Sequence, residues 1–348
     1  FPSYFPTGDM DINGEVLPVN TPRNFIALAG QRDHIKNDTR IFGKITLKPI
    51  KHLQVIGEYT FNYKSSEKTL FDKKFEYAHG DQFRKEQSVS NSKFTHTQDN
   101  TDYNAINFYA NYSRSIADHD FTVMAGFNQE SNDYRYNTAY RTDMINEELP
   151  SLSQATGAYY ANDDYSRYTV RGLFYRLTYA YKGKYLFENN GRYDGSSKFP
   201  KKNRFGFFPS VSAGWRVSEE NFMEWSRKVV SNLKLRMSWG NIGNQNISAY
   251  AYIPGMESIR ANWVVGDEKV TTLQKPKLVS NTFTWEKVST LDFGVDLGLF
   301  NNRLNGNINY YINETRDLLI TRSLAPSAGL SNPVLNVGKM RNQGVELE

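Results

Sequence analysis

The chain carries five histidines, His34, His52, His79, His96 and His119, and no cysteine. A hydrolytic or redox centre needs a His held beside an acid, with a nucleophile or a metal in reach. His79 with Asp81 is the pair weighed for that role, while His52 and His119 fall in short polar turns, away from the long loops. No catalytic residue is assigned, and the missing Cys excludes a thiolate metal site and a disulfide frame. Asp9-Met10-Asp11-Ile12-Asn13-Gly14 matches the first half of a calcium loop. Its twelfth position is Asn20 in place of a chelating Glu, and no helical pattern flanks it. The segment reads as a polar turn, and no metal or cofactor is assigned.

Binding chemistry is better represented. Tyr134, Tyr136, Tyr140, Tyr159 and Tyr160 stand beside Asn162, Asp163 and Asp164. Aromatic faces with amides and carboxylates nearby suit a polar ligand such as a glycan, although ordinary soluble loops share that composition. A second group, Glu188, Arg192, Arg204, Arg216, Arg236, Asp292 and Asp296, is placed on the polar side of strands. In Asp194-Gly195-Ser196-Ser197-Lys198, Gly195 permits a positive φ and the hydroxyls can cap a turn. A structural role is expected there ahead of ligand contact.

The elements that position these residues are written as alternation. Leu53, Val55, Gly57, Tyr59, Phe61 and Tyr63 alternate with Gln54, Glu58, Thr60, Asn62 and Lys64, with Ile56 as the exception. The pattern returns at Phe121, Val123, Ala125 and Phe127, and at Leu233, Leu235, Met237 and Trp239. It recurs at Leu291, Phe293, Val295, Leu297 and Leu299, and at Leu304, Ile308, Tyr310 and Ile312. A strand of period two puts the apolar and polar sets on opposite sides. None of these apolar faces carries a charge. A Lys or Arg facing lipid at mid-bilayer costs about 2 to 4 kcal/mol, so such faces read as lipid on one side and water on the other. Strands of a soluble sandwich average about 5 to 6 residues, roughly half the length seen here.

Short links fall at 49–51, 117–120, 182–184 and 300–303, with 217–230 as a longer member of that set. Long links fall between them, at 64–102, 133–165, 195–203, 241–283 and 316–342. Outer-membrane barrels place short turns on the periplasmic side and long loops outside. Strands are expected at 40–48 and 52–63 and so on to a last one starting near Gln343, with 1–39 as an extracellular loop. Pro209 interrupts a strand and predicts a bulge. The expected fold class is all-β, an antiparallel transmembrane β-barrel that is partial, with about 10 to 11 strands of a plugged barrel of about 22. One incomplete barrel domain is expected over residues 1–348, with the plug and final strands outside it.

Aromatic residues are 14% of the chain, and Tyr63, Tyr112, Tyr179, Tyr181, Tyr185, Trp215, Trp239 and Tyr310 lie near predicted strand ends, as girdles at a membrane interface would. The mean hydropathy of −0.63 argues against a membrane-spanning helix, as does the lack of an apolar run near about 18 residues. Neither excludes a barrel. The net charge of +5 is spread along the chain and forms no nucleic-acid patch.

Arg192-Tyr193-Asp194-Gly195-Ser196-Ser197-Lys198-Phe199 is followed by Phe207-Phe208-Pro209-Ser210-Val211-Ser212-Ala213-Gly214-Trp215-Arg216. Leu235-Arg236-Met237-Ser238-Trp239-Gly240, Thr284-Trp285-Glu286-Lys287, Leu299-Phe300-Asn301-Asn302-Arg303-Leu304 and Asn342-Gln343-Gly344-Val345-Glu346-Leu347 come after them. In this order the segments resemble the barrel of SusC/RagA-type TonB-dependent outer-membrane transporters, closely from about Val170 onward and more loosely before it. The resemblance implies active, TonB-powered uptake of an oligosaccharide or peptide across the bacterial outer membrane. The implied partners are outer-membrane lipid, the TonB complex through a plug region beyond this chain, and a SusD-like surface lipoprotein that closes over the mouth. The tyrosine group would then meet substrate or lid, and the charged group would meet the plug ahead of the substrate. Three alternatives stand beside this reading: a passive porin or structural barrel, a soluble secreted carbohydrate-binding β-protein, and an enzyme inside a barrel.

Overall fold

The computed structural model describes residues 8–79, 84–266, 268–276, 278–279 and 283–348. The first elements are β1 (Asp9–Ile12), β2 (Glu15–Pro18), α1 (Pro22–Leu28), β3 (Arg32–Ile50) and β4 (Leu53–Asp72). They are followed by β5 (Glu76–His79), β6 (Arg84–Gln87), β7 (Lys93–Ile116), β8 (His119–Thr142) and β9 (Tyr159–Tyr181). The remainder are β10 (Tyr185–Ser196), β11 (Phe205–Arg216), β12 (Val230–Asn244), β13 (Ser258–Val265), β14 (Glu268–Leu273), β15 (Glu286–Leu299), β16 (Leu304–Thr321) and β17 (Val334–Leu347).

Eleven strands form one sheet in the order β17-β16-β15-β12-β11-β10-β9-β8-β7-β4-β3. Each lies beside its neighbour in sequence once the small hairpins β5–β6 and β13–β14 are set aside, so the sheet is the expected meander. The pairs from β9 to β17 are antiparallel. Tight turns join β3 to β4, β7 to β8, β9 to β10 and β15 to β16. They are closed by left-handed residues: His52 (φ 71°), Ala117 (48°), Lys182 (51°) and the run Phe300, Asn301, Asn302 (52°, 56°, 59°). Positive φ in a short hairpin matches the right-handed twist of the strands it joins.

Several strands run further than their hydropathy predicts. β3 begins at Arg32, so segment 1–39 holds a hairpin, a helix and the start of a strand; residues 1–7 lie outside the described residues. β4 and β7 take up both ends of the expected link 64–102, and β8 and β9 do the same to 133–165. The last strand starts at Val334 instead of near Gln343. The extensions of β3 and β7 are polar on both faces apart from Ile35 and Phe94, so period-two hydropathy is silent there. Parts of the expected long links, at 80–83 and 280–282, lie outside the described residues. Pro209 makes no bulge: the β10–β11 register runs unshifted from Tyr185↔Trp215 to Gly195↔Phe205. The ladder to β12 begins at Ser210↔Gly240, so Pro209, which has no N–H to give, sits just past its end.

The chain packs as two compact units. The first comprises Phe1–Ile41, Phe61–Tyr103 and Asn132–Arg167. There the Asp9-to-Gly14 segment is a hairpin turn, with Asn13 and Gly14 at φ 57° and 86°, and Asp11 Oδ1 accepts the Gly14 N–H at 2.7 Å. Leu17, Val19, Phe71 and Ala78 are buried, and Phe25 meets Phe75 and Tyr77 edge-on at 5.2 and 5.0 Å. Thr21 caps α1 by accepting the Asn24 N–H, and Pro22 occupies the first turn, where no N–H is needed.

The second unit comprises Phe42–Thr60, Asn104–Ser131 and Tyr168–Glu348. Its registers sort the side chains into rows. One row is Tyr179, Phe187, Ala213, Met237, Phe293, Tyr310 and Val345; the next is Tyr181, Tyr185, Trp215, Leu235, Val295, Ile308 and Leu347. Every large residue of the first row is exposed. On the opposite face runs Thr178, Glu188, Ser212, Ser238, Asp292, Tyr311 and Gly344.

Candidate functional site

The polar face of the second unit gathers most of the charged group read from the sequence. Alternation places Glu188 and Arg192 on that face of β10, Arg216 on β11, Arg236 on β12, and Asp292 and Asp296 on β15. Arg236 donates from Nε to Asp296 Oδ1 at 2.9 Å and from Nη2 to Asn309 Oδ1 at 3.0 Å, tying three strands together. Glu188 Oε1 accepts from Asn190 Nδ2 at 2.7 Å, and Asn190 Oδ1 accepts from Arg176 Nε at 2.8 Å. Arg192 grips both oxygens of Asp194 at 2.9 and 2.8 Å, with its guanidinium 5.4 Å from the centre of the Phe174 ring. Among the described residues, Asp292 and Arg216 have no side-chain partner. Arg204 stands apart: it follows the 3-10 turn Lys201–Asn203, and its Nε donates to the Phe199 carbonyl at 3.4 Å.

Two hollows open on this face. One of about 720 Å³ is lined by His52, Arg114, Asp120, Glu188, Lys234, Arg236 and Asp292 among others. The other, of about 800 Å³, is lined by Arg176, Asn190, Arg192, Asp194, Ser210 and Thr290 among others. Both carry cations and carboxylates side by side, which suits a polar guest bound through many hydrogen bonds.

Toward the long-loop end the face turns aromatic, which sequence reading missed. Phe199, Phe208, Phe283 and Trp285 form a buried cluster, with Trp285 at 5.1 Å from Phe199 and 5.3 Å from Phe208. Trp285 Nε1 donates to the Arg204 carbonyl at 2.9 Å, satisfying the indole. A Cβ on Gly206 would come within 2.5 Å of the Phe208 ring, so only Gly fits. The signal was present in the two motifs that carry Phe199 and Trp285, but only the topology brings them together.

The Asp194-to-Lys198 segment is structural in the way expected, with one correction. Ser197 Oγ accepts the Thr169 N–H at 2.9 Å and Ser196 Oγ accepts the Lys198 N–H at 3.2 Å. Gly195 is not in the left-handed region. It is needed because Phe205 crosses over it to stack on Tyr193 at 5.2 Å, leaving a Cβ only 2.3 Å from the ring. Lys198 lies 4.6 Å from the centre of the Tyr168 ring, and burial holds its ammonium pKa below the ordinary range.

The tyrosine group belongs to the first unit, on strands β8 and β9 instead of in a loop. Tyr140 and Tyr160 stack at 5.1 Å and 21°. Alternation then puts Tyr134, Tyr136, Tyr140, Tyr160, Asn162 and Asp164 on one face and Tyr159 and Asp163 on the other. Tyr159 is 82% exposed. His79 lies in the β5–β6 hairpin, while Asp81 lies outside the described residues.

A meander with an uncovered apolar face and a charged, hollowed opposite face is the wall of a membrane β-barrel. The chain belongs to the TonB-dependent receptor-like β-barrel family, whose model matches residues 6–348. It is 30% identical over 338 residues to the TonB-dependent receptor SusC of Bacteroides thetaiotaomicron, covering 94% of this chain and 32% of SusC. TonB-dependent receptor P26 of Formosa agariphila is 38% identical over 183 residues, covering 53% of this chain and 18% of P26. In fold, the chain matches the RagAB peptide importer in its closed-closed state with a TM-score of 0.82 at 22% identity, covering 97% of this chain and 36% of that one. The SusC/RagA type expected from the motifs is therefore the type found. The chain spans about a third of the length of SusC and less of P26. A barrel of this family stands in the bacterial outer membrane, and lipid is the solvent of the uncovered apolar rows.

Proposed function

We propose that this chain is part of the wall of a plugged barrel of about 22 strands, within a larger protein that imports oligosaccharides or peptides using TonB-derived energy. Residues 1–348 then form an incomplete barrel domain, and a SusD-like surface lipoprotein closes the mouth. The observation that carries this reading is the pairing of exposed Met237, Phe293 and Tyr310 on one face with Glu188, Ser238 and Asp292 on the other. Glu188, Arg192, Arg216, Arg236, Asp292 and Asp296 make the polar surface against which a plug segment sits, and substrate passes the same surface once the plug moves. Tyr134, Tyr136, Tyr140, Tyr160, Asn162 and Asp164 form the face that meets substrate or lid, while Tyr159 and Asp163 face away from it. The peptide arm draws support from the RagAB importer's name, and the glycan arm from the aromatic-and-amide face.

The test is uptake by cells making the full-length transporter, supplied with labelled oligosaccharides and peptides. Uptake that stops when TonB is deleted or the proton gradient is dissipated is the expected result. Uptake that continues undiminished would identify a passive pore instead.

A further inference from the structure

Two aromatic rings on the polar face of the second unit lean across onto a glycine of the neighbouring strand. A Cβ on Gly126 of β8 would come within 2.6 Å of the Phe174 ring, and one on Gly344 of β17 within 2.9 Å of the Tyr311 hydroxyl oxygen and 3.1 Å of its ring. With no side chain beneath it, each ring lies along the wall and turns one side away from the strands. On Phe174 that side is taken, since the Arg192 guanidinium stands over the ring, 5.4 Å from its centre. Among the described residues, no ring or cation stacks on Tyr311, and no group bonds its hydroxyl.

The groups around the Tyr311 ring are acceptors. Asp292 faces Tyr311 across the ladder from β15, and Glu346 lies two residues beyond Gly344 on the same side. Neither carboxylate is engaged by a side chain of the described residues. Asn313, two residues along β16 from Tyr311, has a buried Oδ1 that accepts no hydrogen bond. Arg236, on the same face, is committed to Asp296 and Asn309. An ionised carboxylate accepts and cannot donate, so a ligand suited to this place brings several donors together with an apolar side for the ring. A sugar unit has both: its hydroxyls radiate around its edge, and its C–H bonds line the sides that an aromatic face attracts. From Asp292 the row continues through Ser238 and Ser212 to Glu188, along the 720 Å³ hollow, so the next units of a chain meet hydroxyls and a carboxylate.

Charge narrows the class of ligand. Asp292 and Glu346 beside one ring repel a uronate or a sulfate. A basic peptide following the row would run past Arg236, two residues from Ser238, and Arg176, two residues from Thr178 at the far end. An uncharged chain passes both groups without penalty. We propose that Tyr311, Asp292, Glu346 and Asn313 form a subsite for a neutral saccharide unit, which stacks on Tyr311 and donates its hydroxyls to the other side chains. This subsite rests on the transport reading above and narrows its cargo to an uncharged glycan.

The experiment measures uptake by cells making the full-length transporter, with and without TonB. The probes are labelled neutral oligosaccharides cut from starch, mannan, xylan and galactan, an alginate oligosaccharide, an oligolysine and an uncharged peptide. The expected result is TonB-dependent uptake of at least one neutral oligosaccharide, with its KM raised several-fold by Tyr311→Ala and less by Tyr311→Phe, which keeps the ring. Asp292→Asn, which keeps the side chain's size, should also raise KM, and it carries the test where Tyr311→Ala does not reach the surface folded. TonB-dependent uptake confined to the peptides or the alginate probe overturns the subsite and leaves the transporter standing. Neutral uptake whose KM these substitutions leave unchanged does the same, in favour of a wall that only packs the plug. No TonB-dependent uptake of any probe overturns the transport reading and the subsite with it.

Discussion

Met237 and Ser238 are neighbours in sequence on one strand, yet the rows they belong to have opposite composition. Met237 lies between Ala213 and Phe293 and is 48% exposed. Ser238 lies between Ser212 and Asp292, beside Arg236 and Glu188 in the 720 Å³ hollow. In a soluble sandwich the apolar side would be the buried one. Here it is the uncovered one, so its chemistry is set by what lies outside the protein, while the polar side is set by what must be held within. The polar face has its own exception at the loop end, where Phe208 leaves the hydrogen-bonding rows and joins Trp285 in a dry cluster.

Five substitutions sharpen or break this contrast. Trp285→Ala empties the centre of the aromatic cluster and should cost about 3 to 5 kcal/mol, read from urea unfolding of the full-length protein in lipid vesicles. A loss under about 1 kcal/mol would mean that the loop end is held by something other than that cluster. Met237→Arg should cost about 2 to 4 kcal/mol in the same assay, whereas Ser238→Arg, on the wetted side, should stay within about 1 kcal/mol. Equal costs would erase the distinction between the faces. Gly206→Ala, where a Cβ would meet the Phe208 ring at 2.5 Å, should lose about 1 to 3 kcal/mol. Gly57→Ala, with nothing within 4 Å of its Cβ, should be neutral or stabilise by up to about 1 kcal/mol.

The smallest effect belongs to Glu220. Hydrogen bonds from Trp215 and Tyr185, then Lys184, hold its carboxyl below the ordinary value of 4.5. A carboxyl depressed in the folded state contributes stability that is fully present above its unfolded value and is lost as pH falls through the folded one. Glu220→Gln should therefore flatten the stability–pH curve below about pH 4.5, measured as the acid shift of the unfolding midpoint. An unchanged curve would show that the link between β11 and β12 is not held through this carboxylate.

Much of this was legible in sequence where two solvents differ. The faces around Leu235 and Phe293 read correctly because a period of two is enforced by lipid on one side and water on the other. Arg32 to Thr39 reads as loop because, Ile35 aside, both of its faces are polar, and hydropathy then says nothing about the strand ladder that continues through it. The charged wall was read from parity alone, but Arg204 has no strand parity and fell outside it. The tyrosine group was read as a cluster from closeness in sequence, and parity splits it, since Tyr159 and Tyr160 are adjacent and must point to opposite sides. The aromatic cluster needs residues 199, 208, 283 and 285 to meet, a fact of topology and not of spacing.

The central claim is that one sheet divides lipid from water. A cysteine scan from Leu233 to Gly240 in the full-length protein, each site labelled in turn in a bilayer and tested for collision with oxygen and with an aqueous nickel chelate, asks this directly. The account predicts strict alternation, with lipid at 233, 235, 237 and 239 and water at 234, 236 and 238. Aqueous contact at every position, or a profile without a period of two, would contradict it.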